Sequence, residues 1–98
     1  MLVKIHNSYR NIVAICDKEL IGKSFEEGNR AIVLNEAFFG GEKKSEKEVM
    51  REIQLAADED ATFNIVGERS INAALKTGLI KESGIIKINN IPVALVLL

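Results

Sequence analysis

Leu2, Lys4 and His6 alternate with Val3 and Ile5, and Ile12-Val13-Ala14-Ile15-Cys16 is a β-branched run. A period of two in the first and β-branching in the second both predict strands. Between them lies the polar stretch Asn7-Ser8-Tyr9-Arg10-Asn11, made of turn formers, so the two strands read as an antiparallel hairpin with a five-residue loop. Asp17-Lys18-Glu19 is a second turn, followed by the apolar pair Leu20-Ile21 and then Gly22-Lys23. Gly28-Asn29 breaks the chain again before a further strand at Ala31-Ile32-Val33-Leu34. The first third is read as β in meander order.

The period then changes. Ser45-Glu46-Lys47-Glu48 has the form of a capping box, in which the Ser45 hydroxyl accepts from the Glu48 amide while the Glu48 carboxylate reaches back to the amide of Ser45. Val49, Ile53, Ala56 and Ala57 follow at i, i+4, i+7 and i+8, the stripe of an amphipathic helix. Asp58-Glu59-Asp60 places three acids where a helix dipole prefers cations, so the helix is expected to end near Ala57 and the acids to form a solvated turn. Thr62 to Val66 reads as a strand broken by Gly67. A second helix is expected from Glu68 to Thr77, with Ile71, Ala74 and Leu75 inward, Gly78 as its stop and Leu79 as the apolar residue after it.

The tail reads as Ile85 to Ile88, a tight Asn89-Asn90 turn, and a strand from Ile91 to Leu98 whose near-continuous apolar run suggests cover on both faces. Pro92 sits near that strand's start, where its missing amide is tolerated. The order βββ(β)-α-β-α-ββ predicts a single α+β domain over residues 1–98, with two helices packed on one face of a mixed, mostly antiparallel sheet.

Composition adds bounds. Apolar residues make up 47% and charged residues 28% of the 98 positions, which is ordinary for a globular chain and argues against disorder. Thirteen Lys and Arg face fourteen Asp and Glu, so a wholly basic polyanion binder is excluded while a local basic patch is not. Cys16 is the single cysteine, which rules out an intramolecular disulfide and fits a reducing compartment. The apolar run at the start is interrupted by Lys4, unlike a signal peptide, and no stretch approaches the roughly 20 apolar residues of a membrane helix. A cytoplasmic protein with no membrane partner is expected.

Two segments offer chemistry. In Asn64-Ile65-Val66-Gly67-Glu68-Arg69 a strand passes into a helix through a glycine; free amides at the helix start could hold a phosphate or carboxylate, with Arg69 as a second ligand. Against this, no G-x-G-x-x-G or P-loop pattern occurs, Glu68 can itself satisfy the dipole, and Gly67 can be simply the break the turn needs. In Phe38-Phe39-Gly40-Gly41-Glu42-Lys43-Lys44, two adjacent aromatics in a strand cannot both face one core, so one is expected to be exposed, and with Lys47 nearby the segment has the aromatic-plus-base character of single-strand binders. Interleaved Glu42, Glu46 and Glu48 dilute that field, and a glycine turn anchored by core phenylalanines is the plainer alternative. His6 and Cys16 lie on paired strands without a third orienting group, a weak basis for a dyad. One histidine and no Ca²⁺-loop spacing argue against a metal site, and no cofactor is expected.

Four motifs, Gly22-Lys23-Ser24-Phe25-Glu26-Glu27-Gly28, Phe38-Phe39-Gly40-Gly41-Glu42, Asn64-Ile65-Val66-Gly67-Glu68 and Ile91-Pro92-Val93-Ala94, resemble in order and spacing the small archaeal domain-of-unknown-function family numbered 424. The chain departs from that pattern at Phe39, where the family often has tyrosine, at Asn90-Ile91 in place of Gly-Val, and at Val93 in place of histidine. The last departure removes any role for a C-terminal histidine here. The resemblance implies a cytosolic archaeal protein and a loose association with translation and ribosome assembly, and it implies no reaction.

Two functions follow as expectations. One is a non-catalytic binding module accessory to translation, ribosome assembly or RNA handling, whose partner is RNA or a ribosomal or translation protein. The other is a small-molecule or nucleotide-binding enzyme with an anion site after Gly67. The residues expected at an anion or partner site are Lys23, Phe39, Gly40, Gly41, Lys43, Asn64, Gly67, Glu68 and Arg69. They would meet at one sheet edge if the strand at 31–34 ran parallel to that at 63–66. An antiparallel arrangement would separate them. Sequence leaves the oligomeric state open.

Overall fold

The computed structural model describes residues 1–97. In chain order these form β1 (Leu2–His6), β2 (Ile12–Cys16), a 3-10 turn (Lys18–Leu20), β3 (Ser24–Glu27), β4 (Arg30–Val33), α1 (Glu36–Phe39), β5 (Glu42–Lys43) and α2 (Glu46–Asp58), then β6 (Thr62–Val66), α3 (Glu68–Thr77), a second 3-10 turn (Glu82–Gly84), β7 (Ile86–Ile88) and β8 (Ile91–Val96). Leu98, the last residue of the expected C-terminal strand, lies outside the described residues.

Six strands make one sheet in the order β5-β1-β2-β6-β8-β7. All its neighbours are antiparallel except β2 and β6, which run parallel with Ile12 opposite Thr62 and Cys16 opposite Val66. The fold is therefore α+β on a mixed, mostly antiparallel sheet. The parallel pair needs a crossover, and the long excursion through β3, β4, α1, β5 and α2 supplies it.

α2 and α3 cover one face. Val3, Val13, Ile15, Phe63, Ile65 and Ala94 of the sheet meet Val49, Ile53, Ile71 and Ala74 of the helices in the larger core. The Ser45 capping box forms as expected, with Glu48 N donating to Ser45 Oγ at 3.2 Å and Ser45 N to the Glu48 carboxylate at 2.9 Å. α2 runs one residue past Ala57, the acids after it are exposed, and α3 keeps its expected bounds and ends at Gly78.

The opposite face is built differently. β3 and β4 pair only with each other and form a separate ribbon. With α1 and the first 3-10 turn they lay Phe25, Ile32, Leu34, Phe39 and Leu20 over Ala14, Cys16, Val66 and Val93, a second and smaller core. The expected meander is corrected here. β2 and β3 are not neighbours, because the pair Leu20-Ile21 lies in and after a 3-10 turn that lifts the chain off the sheet. The strand before Gly28, Ser-Phe-Glu-Glu, carries one apolar side chain and shows no alternation to read. α1 is a single turn inside the segment read as loop; Asn35 Oδ1 caps it by accepting from Phe38 N at 2.8 Å.

The tail hairpin turns at Asn89 and Asn90, with φ of 52° and 67°, as a primed two-residue turn requires. Cover of β8 on both faces is not what the structure shows: Leu95 is 62% exposed and Leu97, just past the strand's end at Val96, 74%, because the ribbon roofs only the Val93 end of that strand.

Candidate functional site

The first candidate centre is the start of α3. Gly67, at its N-cap, has no side chain to satisfy the first-turn amides, which must find acceptors elsewhere. Two of them, those of Arg69 and Ser70, find Asp17, delivered by the end of β2, which lies beside β6 in the parallel pair. Asp17 Oδ2 accepts from Arg69 N at 3.1 Å, and Oδ1 accepts from Ser70 N at 2.9 Å and Ser70 Oγ at 2.7 Å. Both Asp17 and Ser70 are buried. The chain's own carboxylate thus sits where an external anion was expected.

Gly67 is held against this carboxylate. Its φ is +109°, and a Cβ there would collide with Asp17 Cγ. The backbone is pinned further by Gly67 N donating to Pro92 O at 2.9 Å and Asp17 N to Val66 O at 3.1 Å. Arg69 turns outward to Glu19, with its Nη2 2.6 and 2.5 Å from the two carboxylate oxygens. Glu19's own backbone amide, followed by that guanidinium, holds its carboxyl below the usual range. The residue that sequence reasoning missed is Asp17. The signal was the missing local cap at Gly67, which calls for an acceptor from another element.

The second centre is the edge formed by β5 and β1. Lys43 stands opposite Leu2 and Glu42 opposite Val3, so Lys43, Lys4 and His6 project from the ribbon side of the sheet and Glu42 from the helix side. Lys44, on the helix side, lies 3.6 Å from Glu42 and 3.3 Å from Glu52, and those acids raise its pKa. A cleft of about 440 Å³ runs beside β1, bordered by Gly40 and Gly41. A Cβ on Gly41 would overlap Val3 O, so the close approach of this loop to β1 requires glycine.

Phe39 is not available to a partner: it is 2% exposed, in the smaller core. Its neighbour Phe38 is half-buried, stacks on His6 with ring centroids 4.7 Å apart and planes 16° from parallel, and meets Phe39 edge-on. His6 Nε2 lies 2.9 Å from Phe38 O; a carbonyl only accepts, so Nε2 carries the proton and Nδ1 is the bare nitrogen of the neutral ring. His6 faces Ile12 and Cys16 faces Leu2, at opposite ends of the hairpin, so the two do not form a dyad. Burial, then the Asp17 charge, push the Cys16 thiol from 9.0 up to about 11, which leaves it protonated at neutral pH.

The expected site residues therefore fall into two groups. Asn64, Gly67, Glu68 and Arg69 belong to the β6–α3 junction; Phe39, Gly40, Gly41 and Lys43 belong to the β1 edge, and exposed Lys23 begins the ribbon. The 31–34 segment lies mainly in the ribbon and does not share a sheet with β6, so the premise of a shared sheet edge is corrected. Gly41 lies beside Lys4, three inter-strand steps from β6 and three residues short of Gly67 in register, which puts the two glycines about 17 Å apart. A cleft of about 300 Å³ does flank α3 and reaches its first residue, with Glu68, Ile71, Asn72 and Pro92 in its lining, but the Arg69 and Ser70 amides of that helix start are held by Asp17.

Among the described residues, no group of three or more His, Cys, Asp or Glu side chains is placed to hold a metal ion, and no helix is long and apolar enough to cross a membrane. What fold and site define is a small α+β module with one helix-clad face and one partly open face.

Residues 5–98 match the family described as "Protein of unknown function (DUF424)", and the chain belongs to that family. Its fold is similar to the crystal structure of an uncharacterized conserved protein from Methanopyrus kandleri, with a TM-score of 0.86 at 23% identity over 98% of this chain and 90% of that one. No curated protein matches. The four sequence motifs all place residues in the smaller core: Phe25, Phe38 and Phe39, Val66, and Ile91 with Val93. Much of the motif pattern is thus accounted for by how the ribbon and α1 are seated on the sheet.

Proposed function

We propose that the protein is a non-catalytic binding module of the cytoplasm, accessory to RNA handling in translation or ribosome assembly. The observation that carries this reading is the contrast between the two centres. At α3 the Arg69 and Ser70 amides that would bind and polarise a small anion are spent on Asp17, whereas at the β1 edge exposed Lys43, half-buried Lys4 and the half-buried His6–Phe38 pair line a sheet edge suited to a broad partner. Extended surfaces of this kind serve recognition, while catalysis on small molecules favours enclosed sites. The test is an affinity pull-down from native cytosol at low salt, with recovered RNA and protein both identified. Reproducible recovery of an RNA or a translation-associated particle is expected. Recovery of neither RNA nor any protein would remove the reading.

A further inference from the structure

The only carboxylate carried by the six strands of the main sheet is Glu42, and it projects on the helix side. The ribbon side of the sheet therefore presents no acid of its own. In a protein with one more acid than base, this is a local segregation of charge. The bases on this side follow one line. Lys43 stands diagonally across from Lys4, about 8 Å away, and His6 lies two residues further along β1, about 7 Å from Lys4. The line ends in rings: His6 is stacked on Phe38, whose edge contact with Phe39 fixes it, and beyond them Tyr9 is fully exposed in the β1–β2 loop.

Four acids sit on the elements that lie over this side, and one of them, Glu19 of the first 3-10 turn, is paired with Arg69. Glu27 is occupied at the far end, accepting from Asn89 N at 2.6 Å, and Glu26 pairs in register with Ala31 on the outward side of the ribbon. Glu36 is exposed at the start of α1, the helix that carries Phe38.

From this arrangement we infer that single-stranded RNA lies along β1, its phosphates on Lys43 and Lys4 and its bases on the His6–Phe38 pair and Tyr9. Positive charge and aromatic faces side by side suit an unpaired strand, since every base has a π-face and every linkage a charge. A folded protein partner would gain from the exposed Leu95 and Leu97 instead, which lie off this line on β8 and beyond it. The inference rests on the binding-module reading and narrows it to one partner class and one surface.

Fluorescence anisotropy of a labelled ten-residue oligouridine RNA, titrated with the whole chain across a salt series, tests it. Lys4→Gln with Lys43→Gln is expected to weaken binding about tenfold and to lower the slope of log K against log salt by about 1.4, near 0.7 for each phosphate left without its lysine. Lys43→Gln alone, at an exposed position, should lower the slope by about half that and guards against a folding defect at Lys4. Tyr9→Ser is expected to weaken binding about tenfold with the slope unchanged, and Glu36→Gln to tighten it. Oligouridine binding unaltered by the double lysine change would overturn the inference. So would absence of oligouridine binding; if the pull-down still recovers a protein partner, the binding-module reading survives that result, and if it recovers nothing both fall.

Discussion

On one side of the sheet, Val13, Ile15, Phe63 and Ile65 lie under two amphipathic helices of ten and thirteen residues. On the other, Ala14, Cys16 and Val66 from the same strands lie under a four-residue helix, a two-stranded ribbon and a 3-10 turn, and the roof stops before Leu95. The helix side closes itself by periodicity: regular stripes meet alternating strands, and the same packing repeats along each element. The ribbon side closes by individual placements, such as Gly41 against Val3 and Phe39 over Ala14. The first arrangement, with the larger core, is expected to carry more of the stability, and the second leaves part of the surface uncovered.

The sharpest way to break this comparison is to cut each core at its largest ring. Phe63→Ala, at a fully buried position in the helix-side core, should cost about 3–5 kcal/mol and bring the domain close to unfolding in a denaturant titration. Phe39→Ala in the smaller core should cost less, because α1 is one turn long and can shift toward the gap. If the second change proves the more damaging, the assignment of stability to the helix side is wrong.

Next in size is the junction that joins the two sides. Gly67→Ala places a methyl group into the Asp17 carboxylate at a φ of +109°, so either the cap or the turn must give way. A loss of about 2–4 kcal/mol is expected, from positive-φ strain together with weakened hydrogen bonds to a buried charge. Asp17→Asn should cost a similar amount, since an amide group would turn one donor toward the donors of Arg69 and Ser70. A double mutant much less destabilised than the sum would show that both residues act through the one cap.

These two expectations also mark what the sequence could and could not disclose. α2, α3, β1, β2, β6 and the tail hairpin were legible because each repeats a pattern or carries its own stop signal, as in Ser45 with Glu48 or Asn89 with Asn90. β3, α1 and the short β5 were not, because Ser-Phe-Glu-Glu and Glu-Ala-Phe-Phe are too brief for any period and take their shape from what they cover. At the candidate site, Lys43 and the aromatic neighbourhood were legible from composition. Which of two adjacent phenylalanines meets His6, and which acid caps α3, depend on partners 32 and 53 positions away along the chain.

The thiol on the ribbon side gives a smaller, pH-dependent effect. Because burial raises the Cys16 pKa from 9.0 to about 11, the unfolded chain ionises first as pH rises. Stability owed to this group is intact below pH 9 and lost between about pH 9 and 11, at most roughly 3 kcal/mol in all. Other groups titrate there too, so the measurement is a difference: Cys16→Ala should start less stable than the parent, and the gap should narrow over that window. A constant gap would mean that the thiol ionises as easily in the fold as out of it.

The smallest effect is expected two strands further on. Ala94 and Leu95 are consecutive in β8, yet Ala94 is 2% exposed beneath the helices while Leu95 is 62% exposed where the ribbon no longer reaches. Leu95→Ser removes little apolar area that folding had taken from water, so a change of no more than about 0.5 kcal/mol is expected, against the several kcal/mol of Phe63→Ala. The same change at a roofed ribbon-side position such as Val93 should be clearly destabilising, which makes the pair a probe of where cover ends. A large loss at Leu95 in a dilute monomer would mean that the ribbon closes over that end in solution. A loss that appears only at high protein concentration would mean that a second copy of the chain covers it.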